Sequence, residues 1–215
     1  MDEYEITPLW PTPLFETTIK SIPPVCKDYI IKSVEYRRYP ADNGFGSINK
    51  FLLNDPVLAP LKKSITDITR EYLYSILDID ESIDFQMTNS WSVKHLKGDE
   101  AGAHFHGNSM FSGILYIQTE KNSGDILFLK DKNHYNIFTD TVLVPFKGKN
   151  NTIYNVQGHA LKPKDNLLIL FPSLLRHEVY PNESDIERYC VAFNFFGFGK
   201  YGYDDVVQLG IANIT

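Results

Sequence analysis

Basic blocks, a cysteine framework and long apolar runs are all missing from this sequence. Its 21 Lys and Arg stand against 27 Asp and Glu, a net charge of −6, and its densest basic pairs are Arg37–Arg38 and Lys62–Lys63. Pairs that short make no stripe along a phosphate backbone, so no nucleic-acid partner is expected. Cys26 and Cys190 are the only cysteines, too few for the disulfide scaffold of a secreted domain. Both read as free thiols, and Cys190, inside the apolar run 189–196, as a small buried hydrophobe. The chain opens Met1-Asp2-Glu3-Tyr4-Glu5, with no apolar leader, and no run of about 18 apolar residues follows. The expectation is a cytoplasmic protein with no membrane span. A homodimer is left open.

What is present is 215 residues with 43% hydrophobic content, enough to bury a core. They read as one domain, 1–215: helical support in 1–82, a β core in 83–200, and a tail in 201–215. Prolines crowd residues 7–15, which forbids a helix and predicts an extended segment or edge strand. Pro23-Pro24 predicts a short helix over 24–35, and Asp42–Ser47 reads as turn chemistry. The spacing of Leu58, Leu61, Ile65, Ile68 and Tyr72 predicts a helix over 56–77 with its stripe on a sheet. From residue 84 onward, short β-branched and aromatic runs alternate with Gly, Asn, Asp and Pro. They predict strands at 85–95, 112–119, 125–130, 141–146, 152–157, 166–171, 176–180 and 188–197. With no helix between them, the class is α+β, mainly β, built as a sandwich or barrel.

Six histidines carry most of the chemical interest: His95, His104, His106, His134, His159 and His177. In a strand, His104 and His106 would share a face and both could reach one ion. Two hydrogen-bonded surface histidines fit the same spacing, and the pair alone does not choose. The Gly-rich stretch 98–103 before them suggests a strand end beside a loop. Downstream, His177 opens a strand after a proline turn, and Arg188 opens the next one eleven residues later. If those strands form a hairpin, the two lie close together, and the guanidinium could bind a carboxylate beside a metal. A surface salt bridge to Glu183, Asp185 or Glu187 is the plainer role for Arg188. His95 could sit near the site, His134 and His159 read as solvated turn residues, and Trp91 and Phe193 as core or pocket-wall aromatics, with core the commoner fate.

Taken in order, His104-x-His106, Ser112-Gly-Ile-Leu-Tyr-Ile, Ser123-Gly-Asp-Ile-Leu-Phe128, Pro163-x-Asp-Asn-Leu-Leu-Ile-Leu-Phe-Pro-Ser, His177 and Arg188 resemble the 2-oxoglutarate/Fe(II)-dependent oxygenases. More narrowly, they resemble the family related to prolyl 4-hydroxylases and known largely from marine bacteria and phages. The segment 9–15 and Trp91 resemble it too. The resemblance implies a double-stranded β-helix (a jelly roll) over 83–200, with the N-terminal helices packed on one sheet. It implies Fe(II) on His104 and His177, and 2-oxoglutarate with its far carboxylate on Arg188 and Tyr116. Ascorbate would serve as an activator in vitro. The implied reaction hydroxylates a C–H bond of a peptidyl or small-molecule substrate and releases succinate and CO₂.

The sequence departs from the family pattern at one ligand. His106 stands where the usual triad has a carboxylate, which makes an iron site one charge more positive. His106 is expected to ligate the metal itself, with Asp99 or Glu100 as the loop acids that could replace it. Two other readings compete. A three-histidine cupin-type dioxygenase would need no keto acid, but it gives Arg188 and Tyr116 no role. A non-enzymatic β-sandwich binding or structural module would leave the histidines incidental.

Overall fold

A computed structural model describes residues 5, 7–8, 11–40, 44–130, 152, 156, 158–202 and 208–212. The elements run β1 (Phe15–Thr18), α1 (Pro24–Lys32), β2 (Tyr36–Arg38) and β3 (Phe45–Ser47). Two 3₁₀ turns, Leu52–Asn54 and Pro56–Leu58, lead into α2 (Ala59–Arg70), which ends in a π turn over Glu71–Ile76. The strands β4 (Asp84–His95), β5 (Ala101–His104), β6 (Phe111–Gln118), β7 (Ile126–Leu129) and β8 (Gly158–Leu161) follow. They are succeeded by β9 (Leu167–Pro172), β10 (His177–Val179), β11 (Arg188–Tyr201) and β12 (Leu209–Ile211).

These strands form two antiparallel sheets. The larger runs β1-β9-β6-β11-β4-β3-β2, with β12 added to β11; the smaller runs β5-β10-β7-β8. The central strands of the large sheet are buried on both faces, so their sequences are almost continuously apolar. Period-two alternation sorts the side chains between the two faces. Leu115, Ile117, Leu168, Leu170, Val191 and Phe193 join Cys26, Ile30, Leu61 and Ile65 of the helices in one core. Ile114, Tyr116, Ile169, Phe171 and Cys190 turn the other way and meet Ile126 and Phe128 of the small sheet. The large sheet is thus the shared wall of two cores, with helices on one side and a second sheet on the other.

The helices form for local reasons. Pro24 sits in the first turn of α1, where its missing N–H costs nothing, and Cys26 and Ile30 bury one stripe. Asp55 accepts from the Val57 N–H at 2.9 Å and caps the turn that runs into α2. Helix α2 buries Leu61, Ile65 and Thr69. Thr69 is tolerated in the core because its hydroxyl donates to the Ile65 carbonyl at 2.8 Å, and Ile68 is only partly buried. The π turn closes with Leu77 N donating to Tyr72 O at 2.9 Å.

Several expectations change. Residues 1–82 supply three strands to the large sheet as well as helices, and the tail returns as β12 against Gly199–Tyr201. The Pro-rich segment does lead into an edge strand, β1. The stretch before His104 is strand β5; its Ala-Gly-Ala carries no apolar signal. Strand β10 does not form a hairpin with β11. Residues 180–187 cross from the small sheet to the large one, because β10 pairs with β5 and β7 instead. The strands expected at 141–146 and, apart from Thr152 and Val156, at 152–157 lie outside the described residues. No helix among the described residues is long and apolar enough to cross a membrane.

The double core makes one position especially intolerant. A Cβ on Gly113 would lie 2.4 Å from the Phe193 ring and 2.7 Å from Leu170 Cδ2. Gly113→Ala should therefore cost about 1–3 kcal/mol of stability, the usual range for overpacking. Denaturant unfolding at wild-type stability would contradict this packing.

Candidate metal centre and cosubstrate pocket

Sheet pairing makes two of the histidines neighbours. His177 on β10 is the register partner of His104 at the end of β5. His106 lies two residues past that strand and is held across the gap between the sheets. Its backbone N–H donates to Ser173 O at 2.9 Å, while its Nδ1 lies 2.8 Å from Asn194 Oδ1 and 2.9 Å from Ser112 Oγ on the large sheet. His104 and His106 thus come together, as the i, i+2 spacing suggested, although His106 is not itself in a strand. Phe105 between them points outward and is exposed. The three rings stand 4.4, 5.2 and 5.5 Å apart, centroid to centroid.

The donor set suits a transition metal. One ligand atom from each of His104, His106 and His177 lies within 4.8 Å of the others. All three Nδ1 atoms are already engaged by the protein: His104 with Gly102 O at 2.7 Å, His177 with Leu175 O at 2.9 Å, and His106 with Asn194. A carbonyl only accepts, so the proton sits on Nδ1 and the Nε2 lone pairs are free for an ion. Metal-binding imidazoles are oriented in this way. A hydroxyl chain stiffens His106 further: Ser112 Oγ donates to Asn194 Oδ1 at 2.7 Å and meets Ser173 Oγ at 2.8 Å, which donates to Ser109 Oγ at 2.8 Å.

His106 and His177 are also held in their neutral form. Burial pushes His177 down to about 3, the Leu175 carbonyl opposes this, and His104 and His106 push the same way as burial. His106 is lowered by burial, against the Asn194 bond, with a smaller push from His104. Neutral imidazole is the form that ligates. The loop acids are placed elsewhere. Asp99 is buried, but its carboxylate takes Arg38 Nη2 at 2.8 Å and the Leu96 N–H at 2.9 Å, and Glu100 is exposed. Among the described residues, neither belongs to the cluster.

A cavity of about 850 Å³ opens between the sheets, and the three histidines and Arg188 share its wall. Arg188 is 3% exposed. Its Nη1 donates to Ser123 O and Gly124 O, each at 2.9 Å, and its Nη2 to His95 Nδ1. The salt-bridge role does not hold: Asp185 pairs with Lys97 and Glu187 with Lys94. Among the described residues, no carboxylate pairs with Arg188. Gly124 is required at its place, because its φ is +88° and a Cβ would lie 2.1 Å from Tyr180 O. Tyr116 is the register partner of Cys190, buried behind the cavity wall. Burial raises its pKa, Arg188 opposes the rise, and Cys190 and Asp125 add to it, so the phenol stays protonated.

Trp91 is a pocket wall rather than core, its ring 5.6 Å from that of His106, whereas Phe193 is fully buried core as expected. His95, the register partner of Arg188, is the residue sequence reasoning undervalued. His159 is exposed as expected, though on β8 and not in a turn. His134 lies outside the described residues.

Facing antiparallel sheets bring a buried arginine and a three-imidazole cluster that could hold one metal ion into a single cavity. Residues 89–194 match the family model described as "Putative 2OG-Fe(II) oxygenase". That segment, which holds all three histidines and Arg188, is similar to the 2OG-Fe(II) oxygenases. No curated protein matches the sequence. Solved structures share the fold at low identity. A 2OG-Fe(II) oxygenase family oxidoreductase from Burkholderia pseudomallei is 12% identical, with a TM-score of 0.54 over 85% of this chain and 83% of its own. A prolyl-4-hydroxylase from Pseudomonas putida is 16% identical, at 0.52 over 86% and 92%. HygX from Streptomyces hygroscopicus, solved with nickel and 2-oxoglutarate bound, is 10% identical, at 0.53 over 86% and 82%. The fold is therefore the jelly roll expected of 2-oxoglutarate oxygenases.

His177 makes the metal-free protein acid-sensitive. Its folded value of about 3 lies below the ordinary 6.5, so in that window the unfolded chain holds a proton that the folded chain lacks. Stability is then present above about pH 6.5 and lost as pH falls toward 3. Thermal melts of metal-free protein at pH 7.5 and 5 should show a clear drop, and a smaller one in His177→Asn. Equal drops in the two proteins would contradict the burial of a neutral His177.

Proposed function

We propose that the protein is an Fe(II)- and 2-oxoglutarate-dependent dioxygenase that hydroxylates a C–H bond of a peptidyl or small-molecule substrate. The observation that carries this reading is the buried Arg188 cation, which has no counter-ion among the described residues, in the same cavity as three pre-oriented imidazoles. An unpaired buried charge is costly, and a ligand carboxylate removes that cost. A cupin-type dioxygenase without a keto acid, or a binding module, has no use for such a charge.

In this reading His104, His106 and His177 hold the iron through Nε2, and Arg188 holds the far carboxylate of 2-oxoglutarate beside the Tyr116 phenol. When bound, iron and keto acid couple O₂ to oxidative decarboxylation, giving succinate, CO₂ and one oxygen atom in the substrate's C–H bond. The chain's residues do the positioning. The carbonyls of Gly102 and Leu175 and the Asn194 amide fix three imidazole planes before the metal arrives. Trp91, Val93 and Ile114 give the cavity apolar walls that exclude water, and Asn89 and Lys50 place polar groups in the same wall. Asn89 Oδ1 is buried without a hydrogen-bond partner, an acceptor waiting for a substrate donor. Three neutral ligands leave the iron one charge more positive than the usual triad, which favours a dianionic keto acid.

Two measurements test this. Metal analysis after loading with Fe(II) under nitrogen, or with Mn, Co or Ni in its place, should find one ion per chain. His177→Ala and His106→Ala should lose most of it, and His106→Asp should keep it. Metal kept at wild-type affinity in His106→Ala would take that residue off the ion. Succinate release, with Fe(II), ascorbate and candidate peptides or amino acids, tests the reaction itself. Arg188→Ala should weaken 2-oxoglutarate binding about 30-fold or more, since breaking one side of a buried charge-assisted pair costs roughly 2–5 kcal/mol. It should leave the metal in place. Unchanged keto-acid affinity in that variant would point to the cupin-type chemistry.

A further inference from the structure

Among the described residues three acceptors hold Arg188, and all are neutral: two backbone carbonyls and the imidazole of His95. A guanidinium stays protonated in proteins and only donates. Nδ1 of His95 is therefore the acceptor, and the ring is the neutral tautomer with its proton on Nε2. The ring has little room to turn away. The β4–β11 register sets it opposite Arg188, it is buried, and Gly44 packs so close that a Cβ there would lie 2.3 Å from its Cδ2. Gly44 itself has φ +70°, so the β2–β3 turn favours glycine against this ring.

We infer that His95 is a positioning residue for 2-oxoglutarate: it aims the Arg188 guanidinium without neutralising it. The inference rests on the keto-acid reading of the cavity. Of the five guanidinium N–H groups, the carbonyls and His95 take three. Two remain, the number that a carboxylate engages in a bidentate pair. A carboxylate at position 95 would orient the guanidinium as well, but it would complete the ion pair inside the protein. The incoming dianion would then have to displace it. An apolar residue would leave an N–H unsatisfied and the guanidinium free to rotate. A neutral imidazole supplies an acceptor at the right reach and leaves the charge for the ligand.

The test is calorimetric titration of 2-oxoglutarate into Ni(II)-loaded protein under nitrogen, paired with thermal melts of the metal-free form. Wild type is compared with His95→Asn, His95→Asp and His95→Ala. Asparagine places a neutral acceptor close to the position of Nδ1, so its affinity should stay within about threefold of wild type, a few tenths of the energy of a charged hydrogen bond. Alanine should weaken binding about tenfold or more. Aspartate should weaken it at least about 30-fold, as an internal ion pair competes with the ligand, while the melting temperature holds or rises. A packing role would move stability and affinity down together. That pattern in His95→Asp, or wild-type affinity in it, overturns the inference, as does a loss in His95→Asn equal to that in His95→Asp. If wild-type protein holds nickel but takes up no 2-oxoglutarate, the underlying keto-acid reading fails as well.

Discussion

Arg188 puts a full positive charge on the wall of a largely apolar cavity, and among the described residues only neutral groups hold it there. Much of the architecture is arranged around that fact. Strand β11 buries both faces, so a charge on its cavity side has no water to lean on. Gly124 bends the chain before β7 to turn its carbonyl and that of Ser123 toward the guanidinium, and β4 presents His95 opposite it in register. The protein satisfies the hydrogen bonds and leaves the charge. In the proposed reading a ligand carboxylate is the partner of that charge, and the three imidazoles in the same cavity would supply the other half of a chelating site.

The two halves reach the cavity from different sheets, and this division explains the need for so much scaffolding. His104 and His177 come from the small sheet, where pairing of β5 with β10 sets them side by side. Arg188, Asn194 and Ser112 come from the large one. His106 joins the two, its backbone bonded to Ser173 and its ring to Asn194. The helices do not enter the site. They cover the opposite face of the large sheet and keep β6, β9 and β11 in a dry core, so those strands are a rigid wall for the chemistry.

Much of this was legible in the residues. Continuous apolar runs at 112–119, 166–171 and 188–197 gave strands buried on both faces, and the 3-4 spacing after Leu58 gave a helix. The ordered series from His104 to Arg188 pointed to the fold and to residues that the structure brings into one cavity. What was not legible depended on pairing. Strands β2, β3 and β12 are three residues each, too short for a periodic signal, and Ala101-Gly-Ala hides β5. The expected hairpin between His177 and Arg188 failed because contiguity in sequence says nothing about which sheet a short strand joins. His95 carries no local signal at all. It gains its place only from the register of two long strands far apart in the chain, and Trp91 changes from core to cavity wall for the same reason.

The most direct measurement is a crystal structure of the protein grown anaerobically with Mn(II) and 2-oxoglutarate. The account predicts one metal about 2.0–2.3 Å from a ring nitrogen of each of His104, His106 and His177. It also predicts the far carboxylate of the keto acid in a bidentate pair with Arg188. A metal more than about 3.5 Å from both nitrogens of His106, or a keto acid whose carboxylate lies away from Arg188, would contradict it.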